Sequence, residues 1–300
     1  MSFKIQKKYW QVAKKLTTAQ LQKENSNQSF LIEEDFFNID IGKRGHSFFL
    51  GYYSKAGIEL ALEKYDVKQI LREKGFEKLV LNLDTNDPYR HRMTIYDKVQ
   101  DPDKMLFELI LKKERIQIDM PFKTDLNGKT FETIAIEWMC MQNPYKDFTP
   151  AKPILPGQRF PGLGMASKAV ELLIIISWRL KLAGLVNIPQ HFHNAFLYSK
   201  VFYYIDPLDQ AKLIAMIRDT KNYPLEKVAW AMEYDAVTDL KTGQPAEWFI
   251  SKQIIPLDSR LKKLFNSRAY RQLVKKEAEN YKYKLDIQKY LDDEKNRSNK

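Results

Sequence analysis

The residues with the clearest chemical potential are the glycines of a short loop that leads into an apolar helix. Residues 156–164 read Pro-Gly-Gln-Arg-Phe-Pro-Gly-Leu-Gly, and a helical pattern follows directly. The first N–H groups of a helix lack intrahelical partners and lie at the positive end of its dipole, so they attract anions. Glycine lets the backbone approach a phosphate closely.

The spacing predicts an anion site, suited to a pyrophosphate, at the start of this helix. Arg159 would add positive charge beside it. A simple turn and helix cap is the alternative interpretation. The predicted donors are four backbone N–H groups, those of Gly162, Leu163, Gly164 and Met165.

Two further segments follow the helix. Residues 184–189 form a short apolar run, which predicts a buried strand, and residues 194–202 predict a second helix. Here the chain resembles the GCN5-related N-acetyltransferase superfamily, the acyl-CoA N-acyltransferases. The phosphate-loop pattern of that family, Gln/Arg-x-x-Gly-x-Gly/Ala, is met by Arg159, Gly162 and Gly164.

The later pattern of the family is Asn-x-x-Ala-x-x-Leu-Tyr-x-x-x-Gly-Phe. Leu197 and Tyr198 match it, and Tyr203 takes the place of the Phe. The match is loose at three positions, where Asn, Ala and Gly are usual and this chain has His191, Asn194 and Phe202. The resemblance is confined to about residues 130–204.

The resemblance implies an α/β (α+β) fold with a mixed central sheet flanked by helices, extended here by helical additions at both ends. In that fold, the strand before the phosphate loop and the strand after its helix run parallel and separate, and pantetheine lies between them. The implied donor is acetyl-CoA or another acyl-CoA, and the implied acceptor is an amine. A longer acyl chain and an acidic carrier-protein donor stay open.

Transfer of an acyl group from a thioester to an amine needs a base for the amine, a stabilised oxyanion and a proton for the thiolate. Asn194 and Tyr198 lie four residues apart and therefore share a helix face. The resemblance directs that face to pantetheine, so Asn194 is a predicted cofactor contact and Tyr198 the predicted general acid. Packing of the Tyr198 ring in the core is the alternative.

Two side chains are candidates for the base. Glu137 lies on a predicted central strand, where burial favours the neutral form of a carboxyl group. His191 lies at the end of the following strand and would titrate near neutral pH. His191 and His193 could also suggest a metal, but no nearby carboxylate or cysteine completes a ligand set. Structural histidines are the default interpretation.

The composition is that of a folded globular protein. The chain has 300 residues, of which 44% are hydrophobic and 29% charged. Its single cysteine, Cys140, excludes a disulfide framework and a thiolate zinc site, and we expect it to pack as a small hydrophobe in a cytoplasmic protein. No apolar run has the length of a membrane span.

The net charge of +11 is concentrated at the two ends of the chain. Residues 1–23 hold six lysines and no acidic residue, and residues 259–300 have a net charge of +7. Residues 24–258 therefore carry about −2. A nucleic-acid-binding surface on the body of the protein is thus not expected, although basic ends can touch acidic partners.

The pattern of elements predicts three units along the chain. They are an N-terminal basic helix in residues 1–30, an acyltransferase-like domain in residues 31–258 and a C-terminal basic helix in residues 259–300. A proline-rich segment, residues 143–157, is either a surface loop or a flap over the acyl or acceptor pocket. The domain elements expected from periodicity are a helix at 57–74 closed by Gly75, strands at 78–83, 91–96, 105–111 and 131–141, helices at 208–220 and 224–234, and a hairpin at 237–255.

The leading function from the sequence is acyl-CoA-dependent N-acyltransfer, most simply of an acetyl group. The runner-up is a non-catalytic relative that binds an acyl-CoA or another ligand. A nucleic-acid-associated protein acting through its basic ends is the third hypothesis, and the near-neutral body argues against it. The sequence does not identify the acceptor or the oligomeric state.

Overall fold

The computed structural model describes residues 5–23 and 48–298, and the structural statements below concern these residues. The predicted boundary between residues 30 and 31 lies outside them. The helices are α1 (Lys7–Lys15), α2 (Thr18–Gln22), α3 (Lys55–Lys64), α4 (Val67–Glu73), α5 (Ala166–Arg179), α6 (Phe192–Tyr198), α7 (Pro207–Thr220), α8 (Leu225–Glu233), α9 (Ser259–Phe265), α10 (Arg268–Asn280) and α11 (Ile287–Ser298), with a short 3-10 helix at Pro102–Lys104.

Seven strands form one mixed sheet in the order β1-β2-β3-β4-β5-β8-β6, and β7 pairs with β9 in a separate ribbon. All neighbours in the large sheet are antiparallel except β4 and β5, which are parallel. The predicted class, an α+β fold with a mixed sheet flanked by helices, is confirmed. The strands are β1 (Leu79–Asp84), β2 (Arg90–Asp97), β3 (Met105–Gln117), β4 (Thr130–Met141), β5 (Gly184–Asn187), β6 (Tyr203–Tyr204), β7 (Val237–Asp239), β8 (Gln253–Pro256) and β9 (Tyr283–Leu285).

The main core lies between one face of the sheet and the helices α1 to α5. The basic N-terminal segment is part of this core, because its apolar side buries Tyr9, Ala13 and Leu16. Arg179 at the end of α5 donates to the carbonyl oxygens of Ala13 and Leu16. These carbonyls have no intrahelical partner, because α1 ends there. The described lysines of this segment lie on the solvated side of a docked helix.

The other face of the sheet packs against α9 and α10, and a third cluster joins α6, α7 and α8. On this second face, Tyr203 stacks on Phe265 at a ring-centroid distance of 5.6 Å. The two helices α7 and α8 lie between β6 and β8 in the chain, where the sequence predicted helices at 208–220 and 224–234. They place α8 beside the end of β5.

The prediction of one basic helix over residues 259–300 is wrong. The Ser267 hydroxyl accepts from the Tyr270 N–H and so starts a second helix, α10, after α9 has ended. The chain then forms β9 before α11 begins. Helical periodicity did not reveal β9, because its partner β7 is distant in sequence.

The predicted hairpin over residues 237–255 forms only next to its turn, where Thr238 makes an isolated antiparallel bridge with Pro245. The turn itself exists, with Gly243 at φ +71°, but β7 pairs with β9 and β8 joins the large sheet. Pro245 follows the turn and has no N–H to donate to a ladder. The predicted helix at 57–74 is divided at Asp66, which has φ +59°, and Gly75 ends it as expected.

Candidate functional site

A gap opens in the sheet where β4 and β5 separate. The two strands pair only from Thr133 to Ile136 on β4, opposite Gly184 to Asn187 on β5. β4 continues as far as Met141, whereas the chain after Asn187 turns away toward α6. The closed end of the gap is therefore the Ile136–Asn187 pair.

A β-bulge lies directly beyond the closed end. Leu111 pairs with Ile136 and Ile110 with Trp138, so Glu137 is the extra residue. Because of the extra residue, even-numbered residues direct their backbone groups toward β5 before the bulge, and odd-numbered residues direct theirs to that side after it. Before it, the Glu132 carbonyl accepts from Ala183, and after it the Met141 carbonyl accepts from Leu163.

Backbone groups alternate in direction along a strand, so the N–H and C=O groups of Met139 are directed to the same side as those of Met141. Met139 lies beyond Ile136, the last residue that pairs with β5, so these groups face the gap. An extended amide-containing chain could add to this edge in the manner of a strand.

The glycine loop crosses the open end of the gap. Gly162 forms an isolated bridge with Gln142 at the end of β4. Gly157 lies against the imidazole of His191, since a Cβ at that position would be 3.1 Å from Nε2. Residues 157–162 therefore connect the two walls of the gap.

The loop leaves three of its four predicted backbone donors without a partner in the described structure. Gly162 and Gly164 are exposed, and Gly164 adopts φ +71°, where an added Cβ would meet no described atom within 4 Å. Met165 is the N-cap residue of α5 and makes no side-chain cap. In the described part of the chain, no hydrogen bond engages the N–H groups of Gly162, Gly164 or Met165.

Leu163 has a different role from the predicted one. Its N–H donates to the Met141 carbonyl at 3.3 Å, and its side chain is buried in the main core. The expectation that this N–H binds an anion is wrong. Leu163 instead holds the loop against β4 and so fixes the glycines on either side of it.

Arg159 lies in the loop with an exposed side chain. Its guanidinium pairs with Asp103 at 3.1 Å and lies over the Phe160 ring at 5.1 Å. Sequence reasoning missed Asp103, which comes from the connection between β2 and β3. Exposed ion pairs contribute little to stability, so an anionic ligand could displace this one at small cost.

Asn194 and Tyr198 share a face of α6, as their spacing predicted. The Tyr198 ring packs partly buried against the main core, edge to face with Phe202 at 5.7 Å. Burial raises the pKa of Tyr198, so its hydroxyl is protonated at neutral pH. A general acid needs that protonation state. Phe202 is buried and fills core volume.

The expectation that Glu137 is buried is wrong. Its carboxylate is exposed and accepts from Arg90, with Lys112 at 4.0 Å. The second half of β4 is uncovered on this face, and the adjacent Trp138 side chain is 48% exposed. No described helix covers this part of the strand, which alternation within β4 does not reveal. A role for Glu137 as the base stays a prediction.

His191 is held by a carboxylate that sequence reasoning missed. Its Nδ1 lies 2.8 Å from Oε1 of Glu233, which is on α8. A carboxylate at Nδ1 fixes the ring and favours the tautomer with the proton on Nδ1, which leaves Nε2 free to accept a proton. The neighbouring Trp230 donates to the Ile154 carbonyl at 2.9 Å, so α8 also holds the proline-rich segment.

His193 is buried beside His191, with the two rings stacked 5.4 Å apart. Burial, together with the nearby His191, lowers the pKa of His193 to about 4, so it is neutral at physiological pH. Residues 5–23 and 48–298 contain no group of three or more His, Cys, Asp or Glu side chains placed to hold a metal ion.

Two surface grooves of the described structure lie away from the predicted residues. One, of about 480 Å³, separates α7 from α10, and the other, of about 440 Å³, lies at the start of β4. Neither is lined by the glycine loop, Tyr198 or His191. No described helix has the length and apolar character needed to cross a bilayer.

No family model matches this chain, and no curated protein matches it. A solved structure described as "Crystal structure of bacterial toxin" aligns with 70% of this chain and 84% of its own, at 6% identity and a TM-score of 0.29. A likeness at that TM-score carries no argument about fold or function.

Proposed function

We propose that this protein is an acyl-CoA-dependent N-acyltransferase that moves an acyl group, most simply acetyl, from a coenzyme A thioester to an amine. The observation that carries the proposal is the gap between the parallel strands β4 and β5, crossed at its open end by the glycine loop. The parallel, separating pair β4 and β5 supports the proposal, because the sequence resemblance implies that pantetheine lies between two such strands.

The chemistry of the proposed substrate suits the backbone groups around the gap. The pyrophosphate would lie on the N–H groups of Gly162, Gly164 and Met165, which have no described hydrogen-bond partner, at the positive end of α5. Pantetheine is thin, extended and rich in amides, so it can pair with the backbone of Met139 along β4. The thioester would then approach the closed end of the gap.

In the proposed reaction, the amine nitrogen forms a bond to the thioester carbonyl carbon, and the C–S bond then breaks. Of the two predicted bases, His191 is the better oriented, because Glu233 holds Nδ1 and leaves Nε2 able to take the amine proton. The Nε2 atom of His191 lies against Gly157, so the amine would enter from the loop end of the gap. Tyr198 would supply a proton to the departing thiolate. The products are an amide and free coenzyme A, and both side chains regain their original states through solvent.

The first experiment is calorimetric titration of the full chain with coenzyme A, acetyl-CoA and pantetheine, which lacks the phosphates. If the loop recognises pyrophosphate, we expect coenzyme A to bind at least tenfold more tightly than pantetheine. Absence of coenzyme A binding below millimolar concentration would contradict the proposal.

Turnover is then measured as release of the coenzyme A thiol from acetyl-CoA with a panel of primary amines. His191→Ala should reduce the rate, and Glu137→Gln is the matched test of the alternative base. Tight binding of coenzyme A with no turnover by any amine would favour the non-catalytic alternative.

A further inference from the structure

Three polar side chains form a row across the sheet, starting at the closed end of the gap. Asn187 pairs with Gln253 on β8, and Gln253 pairs in turn with Tyr204 on β6. Directly opposite residues of neighbouring strands place their side chains on the same face. We call Asn187, Gln253 and Tyr204 the polar row.

The polar row faces the side of the sheet that carries α5. Leu185 and Ile255 are a cross-strand pair in the main core. Asn187 and Gln253 lie two residues further along the same strands, so their side chains are on that same face. Neighbouring strands lie about 4.8 Å apart, so the row extends about 10 Å from the closed end of the gap.

All three side chains are buried, with exposed fractions of 7% for Asn187 and 0% for Gln253 and Tyr204. In the described structure, four of their polar atoms have no hydrogen-bond partner. They are Oδ1 of Asn187, both Oε1 and Nε2 of Gln253, and the Tyr204 hydroxyl. Most buried polar groups in folded proteins are paired, so an unpaired run of neighbours needs an explanation.

The surroundings of the row are mostly apolar. The nearest charged group is the Asp209 carboxylate, which adds to the effect of burial in raising the pKa of the Tyr204 hydroxyl. The Phe249 ring lies 5.2 Å from the Tyr204 ring, and Phe192 and Ala195 of α6 belong to the same cluster. Unpaired amides in such a setting lower the stability of the fold, and an apolar side chain of similar shape would avoid that cost. A row kept at a cost to stability suggests recognition of a ligand.

We propose that the polar row recognises a neutral polar group, such as a hydroxyl or keto oxygen, on the acyl chain of the thioester. This inference rests on the proposed function, because the row begins where the thioester would end. Amide and hydroxyl groups can both donate and accept. The row contains no charged side chain, so it suits an uncharged group better than a carboxylate. A plain hydrocarbon chain would leave all four atoms unpaired.

The test compares two thioesters that differ by one oxygen, 3-hydroxybutyryl-CoA and butyryl-CoA, by calorimetric titration of the full chain. We expect the hydroxylated chain to bind at least tenfold more tightly. In Gln253→Met, which keeps the side-chain length, the preference should fall below threefold while the affinity for coenzyme A itself is unchanged. Equal affinity of the wild-type protein for both thioesters would overturn the inference.

Coenzyme A alone separates this inference from the proposed function. If coenzyme A does not bind, the proposed function fails, and the inference fails with it. If coenzyme A binds and the two thioesters do not differ, only the inference fails.

Stability supplies an independent measurement. Gln253→Met should raise Tm by about 2 °C, because it removes an unpaired buried amide. A lower Tm would mean that Gln253 is paired within the fold and would overturn the inference. Tyr204→Phe removes a single oxygen and serves as the second variant, with the same expected direction, if Gln253→Met does not fold.

Discussion

Replacing Gly164 with glutamate tests the anion site with the least disturbance to the rest of the protein. Gly164 is exposed, and no described atom lies within 4 Å of a side-chain carbon built on it. Steric conflict is therefore not expected. The new carboxylate would lie at the start of α5, beside the N–H groups proposed to hold pyrophosphate.

The cost of the substitution has two separable parts. Residue 164 has φ +71°, and a residue other than glycine in that region costs about 1–2 kcal/mol of stability. The added charge costs binding energy. A unit charge about 5–6 Å from a phosphate, at an effective dielectric constant of ~20, contributes on the order of 3 kcal/mol. That is about a hundredfold loss of affinity.

Gly243 supplies a matched control. It also has φ +71°, and no described atom lies within 4 Å of its added carbon, but it belongs to the turn after β7. Gly243→Glu should therefore lose as much stability in a urea titration as Gly164→Glu. Only Gly164→Glu should lose affinity for coenzyme A in calorimetry, and the loss should shrink at high salt.

Two outcomes would refute this reasoning. If Gly164→Glu binds coenzyme A as well as the wild-type protein does, the loop is not the phosphate site. If both variants lose affinity equally, the effect comes from stability and not from charge at the loop.

Three further predictions concern the acid, a buried histidine and the helix pair α2–α3. Tyr198→Phe should reduce thiol release from acetyl-CoA at least tenfold with unchanged Tm, and an unchanged rate would exclude the acid role. Because the pKa of His193 is about 4 in the folded protein and about 6.5 when unfolded, the unfolded state binds more protons between those values. The free energy of unfolding measured in urea should therefore rise by up to about 3 kcal/mol from pH 4 to pH 6.5. His193→Gln should remove this contribution to the rise. If the variant and the wild-type protein show the same dependence on pH, the lowered pKa does not belong to His193. Gly57→Ala should be strongly destabilising in thermal denaturation, because its Cβ would lie 1.9 Å from the Leu21 carbonyl oxygen. Gly75→Ala is the control. Its Cβ would meet no described atom within 4 Å, so it should lose only the stability that the positive φ of residue 75 costs.

Local patterns predicted the parts of the fold that depend on neighbouring residues. Alternation located β4 within one residue of its observed start, and helical periodicity located α7 and α8. Gly75 ends α4 as expected, because the positive φ of that position depends only on the local chain. Within the candidate site, the same local features predicted the N–H groups of Gly162, Gly164 and Met165 as anion donors; these groups have no partner in the described structure, and their role stays a prediction.

Contacts between distant segments could not be predicted in this way. The β7–β9 pair, the exposure of Glu137 and the His191–Glu233 contact each depend on which elements pack together. The position of Leu163 in the loop predicted a free backbone donor, but its N–H donates to the Met141 carbonyl at the end of β4.

Apart from β9, the sequence by itself determined the types of the main elements, together with the glycine loop at the start of α5 and the basic ends with their near-neutral body. These follow from side-chain spacing and backbone freedom, which act over a few residues. Only the tertiary structure decided that β4 and β5 part after the Ile136–Asn187 pair, and that Gln253 and Tyr204 extend a polar row from that point. Strand register decides both features, and register is set by packing between segments that are far apart in the chain.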